Sequence, residues 1–266
     1  MILAVSGRIS SGKDTVGKII QYLTSNEGKK MSYSSFCLLQ ERWYNHNDFI
    51  IKKFAGKLKQ IVSILTGIPV EDLEKQEVKD SYLPEEWNKL MPYIGDFNYP
   101  PLTQYQKYTV RQLLQEIGTE AMRDVIHPNV WVNALFADYK PQNELITVWG
   151  DKINSRKVIR TLGGNLYEVI NSVYPNWVIT DLRFPNELDA IKQRGGITIR
   201  VNRPVENYPE NHKFNGDTQS AIKIAHNHPS ETALDNATFD YTIINDGSIE
   251  ELIEKVKEIL TKNQLI

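Results

Sequence analysis

The sequence predicts an α/β protein whose parallel sheet is covered by helices on both faces. Two observations carry this. An apolar run at Met1 to Ser6 passes through a glycine loop into a segment of helical periodicity, and the last third of the chain alternates short β-rich runs with amphipathic segments. A chain of 266 residues is long enough to bury one substantial core with insertions. Its 31 Lys and Arg against 33 Asp and Glu leave a net charge of −2, so there is no sequence-wide basic field for nucleic acid or a membrane surface. A small anion would need a local site. The lone Cys37 rules out an intramolecular disulfide and suits a reducing compartment. No charged leader precedes Ile2 and no apolar run approaches membrane-spanning length, so the expectation is a soluble, cytoplasmic protein.

Taken in order, Met1 to Ser6 reads as a buried strand ended by Gly7, and Val16, Ile19, Ile20 and Leu23 predict a helix beginning near Lys13. Phe49 to Phe54 reads as a second strand. Leu58, Ile61, Val62 and Leu65 then form one helical face closed by Gly67 and Pro69. Residues 70–108 are polar, aromatic and proline-bearing, which predicts short helices and loops. Thr109 with Gln112 forms a capping box for a helix carrying Leu113, Leu114 and Ile117, and a further helix follows His127-Pro128. Residues 139–175 carry a weaker pattern, with a strand expected at Leu145 to Trp149 and a helix after Asn154. Beyond them, Trp177 to Thr180 and Ile197 to Val201 read as strands around a helix at Asn186 to Gln193. Tyr241 to Ile244 reads as a last strand, and Ser248 with Glu251 caps a final helix of Leu252, Ile253, Val256 and Ile259.

The stretch Gly7 to Thr15, G-R-I-S-S-G-K-D-T, has the G-x-x-x-x-G-K spacing of a phosphate-cradling loop, in the strand–loop–helix context that the pattern needs. Gly7 and Gly12 let the backbone approach phosphate oxygens, Ser10 and Ser11 line the turn, and Lys13 supplies a cation at a helix N-terminus that already favours anions. The competing reading is a strand-ending glycine followed by a solvated lysine. It does not explain a lysine at a position where the helix dipole disfavours one. Asp14 stands where serine or threonine is usual. It is either a favourable first-turn residue or a hard carboxylate ligand for Mg²⁺, with Thr15 still able to offer a hydroxyl.

Further stretches extend the picture. The G-K-D-T loop, F-A-G-K-L-K at Phe54 to Lys59, R-Q-L-L-Q-E-I-G-T-E-A-M-R-D at Arg111 to Asp124 and V-I-T-D-L-R-F-P-N-E at Val178 to Glu187 resemble segments of phage deoxynucleoside monophosphate kinases. I-R-V-N-R-P at Ile199 to Pro204, H-P-S-E-T-A-L-D at His228 to Asp235 and N-D-G-S at Asn245 to Ser248 continue that resemblance in the family's order, over roughly half the chain. The resemblance implies a P-loop kinase fold with a five-stranded parallel sheet flanked by helices, a helical substrate-binding insertion at about 56–176 and a lid at about 203–240, all in one domain over 1–266. It implies transfer of the terminal phosphoryl group of ATP, with Mg²⁺, to a deoxynucleoside monophosphate for DNA precursor synthesis. The implied partners are small-molecule nucleotides, with no direct nucleic-acid or membrane binding, a homodimer left open, and host cytoplasm as the location if phage-encoded. Gly56-Lys57 departs from the family's usual Asp-Pro, and residues 139–175 are longer than the family plan.

Phosphoryl transfer asks for alignment and charge neutralisation more than for a nucleophile. Lys13 is expected to bridge donor phosphates. Asp181, at a strand's carboxyl end, is expected to hold Mg²⁺ through water or orient the acceptor, with a turn-capping aspartate as the plain alternative. Arg183 is expected to grip the acceptor phosphate or the transition state, against a salt bridge to Glu187. Lys59, Arg123, Asp124, Trp131, Arg183 and Glu187 form the expected acceptor set, Trp131 as a stacking face unless it is core, Lys59 on the polar side of its helix. Arg203 and Asn245 are expected at the ATP, while His228 and Glu231 lack the cysteine partners of a zinc site. Two other readings compete: a related small-molecule kinase such as dephospho-coenzyme A kinase, and a nucleotide-sensing module without turnover.

Overall fold

The computed structural model describes residues 1–26, 28–39, 49–90, 105–149, 158–163, 166–204 and 232–266. The chain divides into two compact units, one of residues 1–53 and 136–266 and the other of residues 54–135.

The larger unit holds a five-stranded parallel sheet. Its strands are β1 (Ile2–Gly7), β2 (Phe49–Lys52), β8 (Asn176–Leu182), β9 (Ile197–Asn202) and β10 (Tyr241–Ile244), in the order β10-β9-β1-β8-β2. All five match expected strands, the second stopping at Lys52. Every residue of β1 is buried, as a central strand covered on both faces requires. Leu3 and Val5 point to one face. There they join Val16, Ile19 and Ile20 of α1 (Lys13–Thr24) and Leu252, Val256, Ile259 and Leu260 of the C-terminal helix (Ile249–Lys262). Ile2 and Ala4 point to the other and are equally buried, and the helix Pro185–Gln193 packs on β9. Gly17 lets α1 approach the sheet closely: a Cβ there would lie 2.5 Å from Thr180 Cγ2. Ser248 caps the C-terminal helix through Glu251 N, as its half of the expected box requires.

Between Phe136 and β8, the chain forms a three-stranded antiparallel sheet of β5 (Gln142–Trp149), β6 (Val158–Gly163) and β7 (Leu166–Val173), ordered β5-β7-β6. The helix expected after Asn154 is therefore corrected: residues 158–163 and 166–173 are strands. Val158, Ile159, Thr161, Val169, Ile170 and Val173 are β-branched, and pairing along all of β5 rewards extension more than the weak helical pattern does. Tyr139 and Tyr174, where the chain leaves for and returns from this sheet, stack with ring centroids 5.0 Å apart.

The smaller unit opens with α3 (Gly56–Thr66), ended by Gly67 at φ 74°, and continues through the short helix α4 (Gln76–Asp80) and a two-stranded ladder of β3 (Lys89–Leu90) with β4 (Tyr105–Gln106). Helix α5 (Val110–Gln115) carries the complete Thr109–Gln112 capping box and runs on as a π-helix over Glu116–Ile126, followed by α6 (Val130–Phe136). Val62, Leu73, Leu83, Tyr108, Val110 and Leu113 form its core. The expected buried face of α3 is turned: Leu65 is exposed, whereas Lys59, placed on the polar side by the sequence reading, is buried beside Val62. Its ammonium is compensated by Glu74 Oε1 at 2.5 Å. Among the described residues no helix is long and apolar enough to cross a membrane. His228, Glu231 and most of the expected lid, residues 205–231, lie outside the described residues.

Because Thr180 is buried and rigid at χ1, Gly17→Val should overpack the α1–sheet contact and cost about 1–3 kcal/mol. Urea unfolding checks this; an unshifted midpoint means the contact yields freely.

Candidate active site

Parallel pairing brings the carboxyl ends of all five strands to one edge of the sheet, where β1 runs between β8 and β9. This is the edge at which ligands gather in open α/β sheets. The glycine loop leaves β1 there. Ser10 adopts φ 59° and Gly12 φ 97°, both left-handed, and the Ser11 amide closes the turn on the Arg8 carbonyl at 3.1 Å. A Cβ at Gly7 would come within 2.3 Å of Ser11 Oγ, and one at Gly12 within 2.5 Å of Asn245 Nδ2. That same Nδ2 donates to the Ser11 carbonyl at 2.8 Å. Arg203, just past β9, reaches the Ser10 carbonyl through Nη1 at 3.5 Å. Ser11 Oγ and Arg203 Nε are buried without a hydrogen-bond partner among the described residues. Lys13 begins α1, is 7% exposed, and donates from Nζ to the Arg8 carbonyl at 3.1 Å. No described side chain caps this helix.

Asp14 follows Lys13 and bridges α1 to its neighbours. Its Oδ1 accepts a hydrogen bond from Thr180 Oγ1 at 2.8 Å and lies 3.4 Å from Lys53 Nζ. Partial desolvation pushes its carboxyl up, but Lys53, the Thr180 hydroxyl and Lys13 outweigh it and hold the carboxyl below its ordinary 3.8. Among the described residues no three His, Cys, Asp or Glu are grouped to hold a metal ion. A single carboxylate fits Mg²⁺ held mainly by phosphates and water, which is that ion's habit, and not a protein cage. Thr15 is half-buried in the same turn.

On the neighbouring strand, Asp181 is half-buried one residue before Leu182, whose backbone partner across β1 is Ser6. Arg183 follows it. Glu187 is 1% exposed, and its Oε2 accepts the amides of Arg183 at 2.8 Å and Phe184 at 3.1 Å, so its carboxylate organises the helix start.

Lys13, Asp14, Thr15, Asp181, Arg183, Glu187, Arg203 and Asn245 thus all belong to the sheet unit. Lys59, Arg123, Asp124 and Trp131 belong to the other unit. There Lys59 is engaged with Glu74, Arg123 is half-buried and Asp124 is exposed on the π-helix. Trp131 is corrected from stacking face to core: it is 4% exposed and its indole N–H donates to the Gly118 carbonyl at 2.8 Å. Sequence reasoning missed Lys53 and Arg8. Lys53 had one usable signal, its place as the first residue past a parallel strand.

A glycine loop at the carboxyl end of the central strand of a five-stranded parallel sheet, feeding a helix that begins at a lysine, defines an α/β fold of the P-loop kinase class. The chain is similar to the deoxynucleotide monophosphate kinase of Enterobacteria phage T4, 27% identical over 198 residues that cover 74% of this chain and 60% of that protein. It is also similar to the deoxynucleotide monophosphate kinase of Escherichia phage RB69, 22% identical over 97% of this chain and 99% of that one. The chain thus resembles the phage deoxynucleotide monophosphate kinases over most of its length, although the T4 match spans less than two-thirds of that relative. No protein-family model matches the chain.

Two outcomes follow from this geometry. Asn245→Ala leaves the buried Ser11 carbonyl without its donor and should cost about 1–3 kcal/mol in urea unfolding, an unchanged stability rejecting the bond as a structural tie. Because the folded Asp14 carboxyl lies below 3.8, its contribution to stability is present above that value and lost as pH falls through the folded one. Lys53→Met removes the strongest lowering influence, so Asp14 should titrate at higher pH than in wild type. A carboxyl NMR titration with an unmoved midpoint would show that Lys53 does not set it.

Proposed function

We propose that this chain transfers the terminal phosphoryl group of ATP to a deoxynucleoside 5′-monophosphate, giving ADP and the deoxynucleoside diphosphate. The observation that carries the reading is Lys13, held by the Arg8 carbonyl across the mouth of a loop with two left-handed residues. The names of the phage relatives support the acceptor class.

In this reading the bond between the γ-phosphorus and the β,γ-bridging oxygen breaks, and one forms from a phosphate oxygen of the acceptor to the γ-phosphorus. Negative charge develops on the departing ADP and is spread over the transferring group. Lys13 meets that charge when it exchanges the Arg8 carbonyl for phosphate oxygens, and the loop amides and the N-terminus of α1 orient the same oxygens. Arg203 and Asn245 brace the loop from the β9 and β10 ends. Bound Mg²⁺ supplies further neutralisation of the phosphates, with Asp14 and Asp181 as the residues that would hold it, directly or through water. Asp14 remains a carboxylate throughout the physiological range, which suits that role. Arg183, leaving β8 at the same edge, grips the acceptor phosphate. The partners are small-molecule nucleotides.

A coupled ADP-release assay over the four deoxynucleoside monophosphates, with ribonucleotides and dephospho-coenzyme A as controls, tests the reading. Diphosphate from at least one deoxynucleotide is expected; none from any base, in a folded preparation, sinks it. Lys13→Ala should lower turnover by about two to three orders of magnitude. Wild-type-like turnover in that variant removes the loop from the chemistry.

A further inference from the structure

Arg8 has no part in the glycine-lysine pattern, yet its side chain and its carbonyl are both committed. The carbonyl accepts the Ser11 amide and the Lys13 ammonium, each at 3.1 Å. The guanidinium reaches 227 residues along the chain to Asp235 Oδ2, 2.5 Å away. The second oxygen of that carboxylate is also in use: Asp235 Oδ1 accepts from Arg200 Nη2 at 2.7 Å. Arg200 is itself fixed. It is 8% exposed on β9, its Nη1 donates to Ser6 Oγ of the central strand at 3.0 Å, and its Nε reaches Asn202 Oδ1 at 3.4 Å. A carboxylate with one oxygen on each of two guanidiniums has little rotational freedom, and one of its two partners is anchored in the sheet.

We propose that Asp235 is a positioning residue for the glycine loop, acting through Arg8: it ties the first turn of the loop to the buried Arg200 and so holds the Arg8 carbonyl where it presents Lys13. An exposed ion pair alone contributes little, and Arg8 is 42% exposed, so the bond's effect lies in geometry more than in stability. The carboxylate also offsets the charges of Arg8 and Arg200. The assignment rests on the donor site proposed above and adds to it a residue with no side chain in the loop. Loss of Asp235 releases the loop's backbone, so donor affinity suffers before the chemical step does.

The test is a double-mutant cycle on the full chain with Asp235→Asn, Arg8→Gln and the double variant, reading KM for ATP, kcat and the thermal shift produced by MgATP. Asp235→Asn should raise KM for ATP roughly fivefold or more, with a smaller change in kcat. In the Arg8→Gln background the same substitution should have no further effect, because the path through Arg8 is already cut. Effects of Asp235→Asn that are equal in both backgrounds, or a lowered KM, overturn the proposal, as they assign Asp235 to Arg200 alone or to restraint of Arg8. The wild-type measurement separates this from the function itself: if wild type neither shifts with MgATP nor turns over, the donor site fails and the proposal falls with it. An active wild type with additive variants overturns the positioning role only.

Discussion

The approach of the Asn245 side-chain amide to the backbone of the glycine loop is the contact on which the candidate site depends. Nδ2 donates to the Ser11 carbonyl at 2.8 Å and would lie 2.5 Å from any Cβ at position 12, so the bond forms only because residue 12 is glycine. The same residue must adopt φ 97°, which glycine does without steric cost. A second close approach, Gly7 over Ser11 Oγ and the Val201 carbonyl, seats the loop's other end on β9. Together they clamp the loop between β1, β9 and β10, so that α1 starts at a defined place with Lys13 at its head. The loop is therefore a product of sheet order: Asn245 meets Ser11 because β9 lies between β1 and β10.

Around that loop the charges are arranged in compensated sets. Lys53 and Lys13 bear on Asp14, and Arg8 and Arg200 share Asp235. Pairing serves two ends. It limits the mutual repulsion of several cations on one sheet edge, and it holds each long side chain in a geometry that a ligand can use without first ordering it. Lys13 also donates to a neutral carbonyl, that of Arg8, which an anionic oxygen displaces at low cost.

The unit of residues 54–135 uses polar side chains differently. Lys59 with Glu74, and Trp131 with the Gly118 carbonyl, spend their polar groups within the unit's own packing. Gly118 allows that packing, since a Cβ there would lie 2.9 Å from Leu58 Cδ2. Lys89, Tyr108 and Glu116 form a further set: the Tyr108 hydroxyl and the Lys89 ammonium both donate to Glu116, which fastens the β3–β4 ladder to the start of the π-helix. Burial, then the adjacent Glu116 carboxylate, raise the Tyr108 hydroxyl above its ordinary range and keep it a donor.

The sequence by itself determined the five parallel strands, the loop that follows the first, and the capped helices at Thr109 and Ser248. Each is encoded by residues within one or two turns of one another: an apolar run, a glycine spacing, a hydroxyl three residues before its amide. It expected a helix after Asn154, where residues 158–163 and 166–173 are strands: alternation was diluted by Asn, Arg and Glu, and the strand signal needed its pairing partners. It also placed Lys59 outside and left Trp131 open between base and core, because helical periodicity reports an apolar stripe but not which neighbour fills it. The pairing of Asp14 with Thr180 and of Arg8 with Asp235 joins residues 166 and 227 positions apart. Only the tertiary structure decided these, since strand order, and not local spacing, determines which side chains meet at the sheet's carboxyl edge.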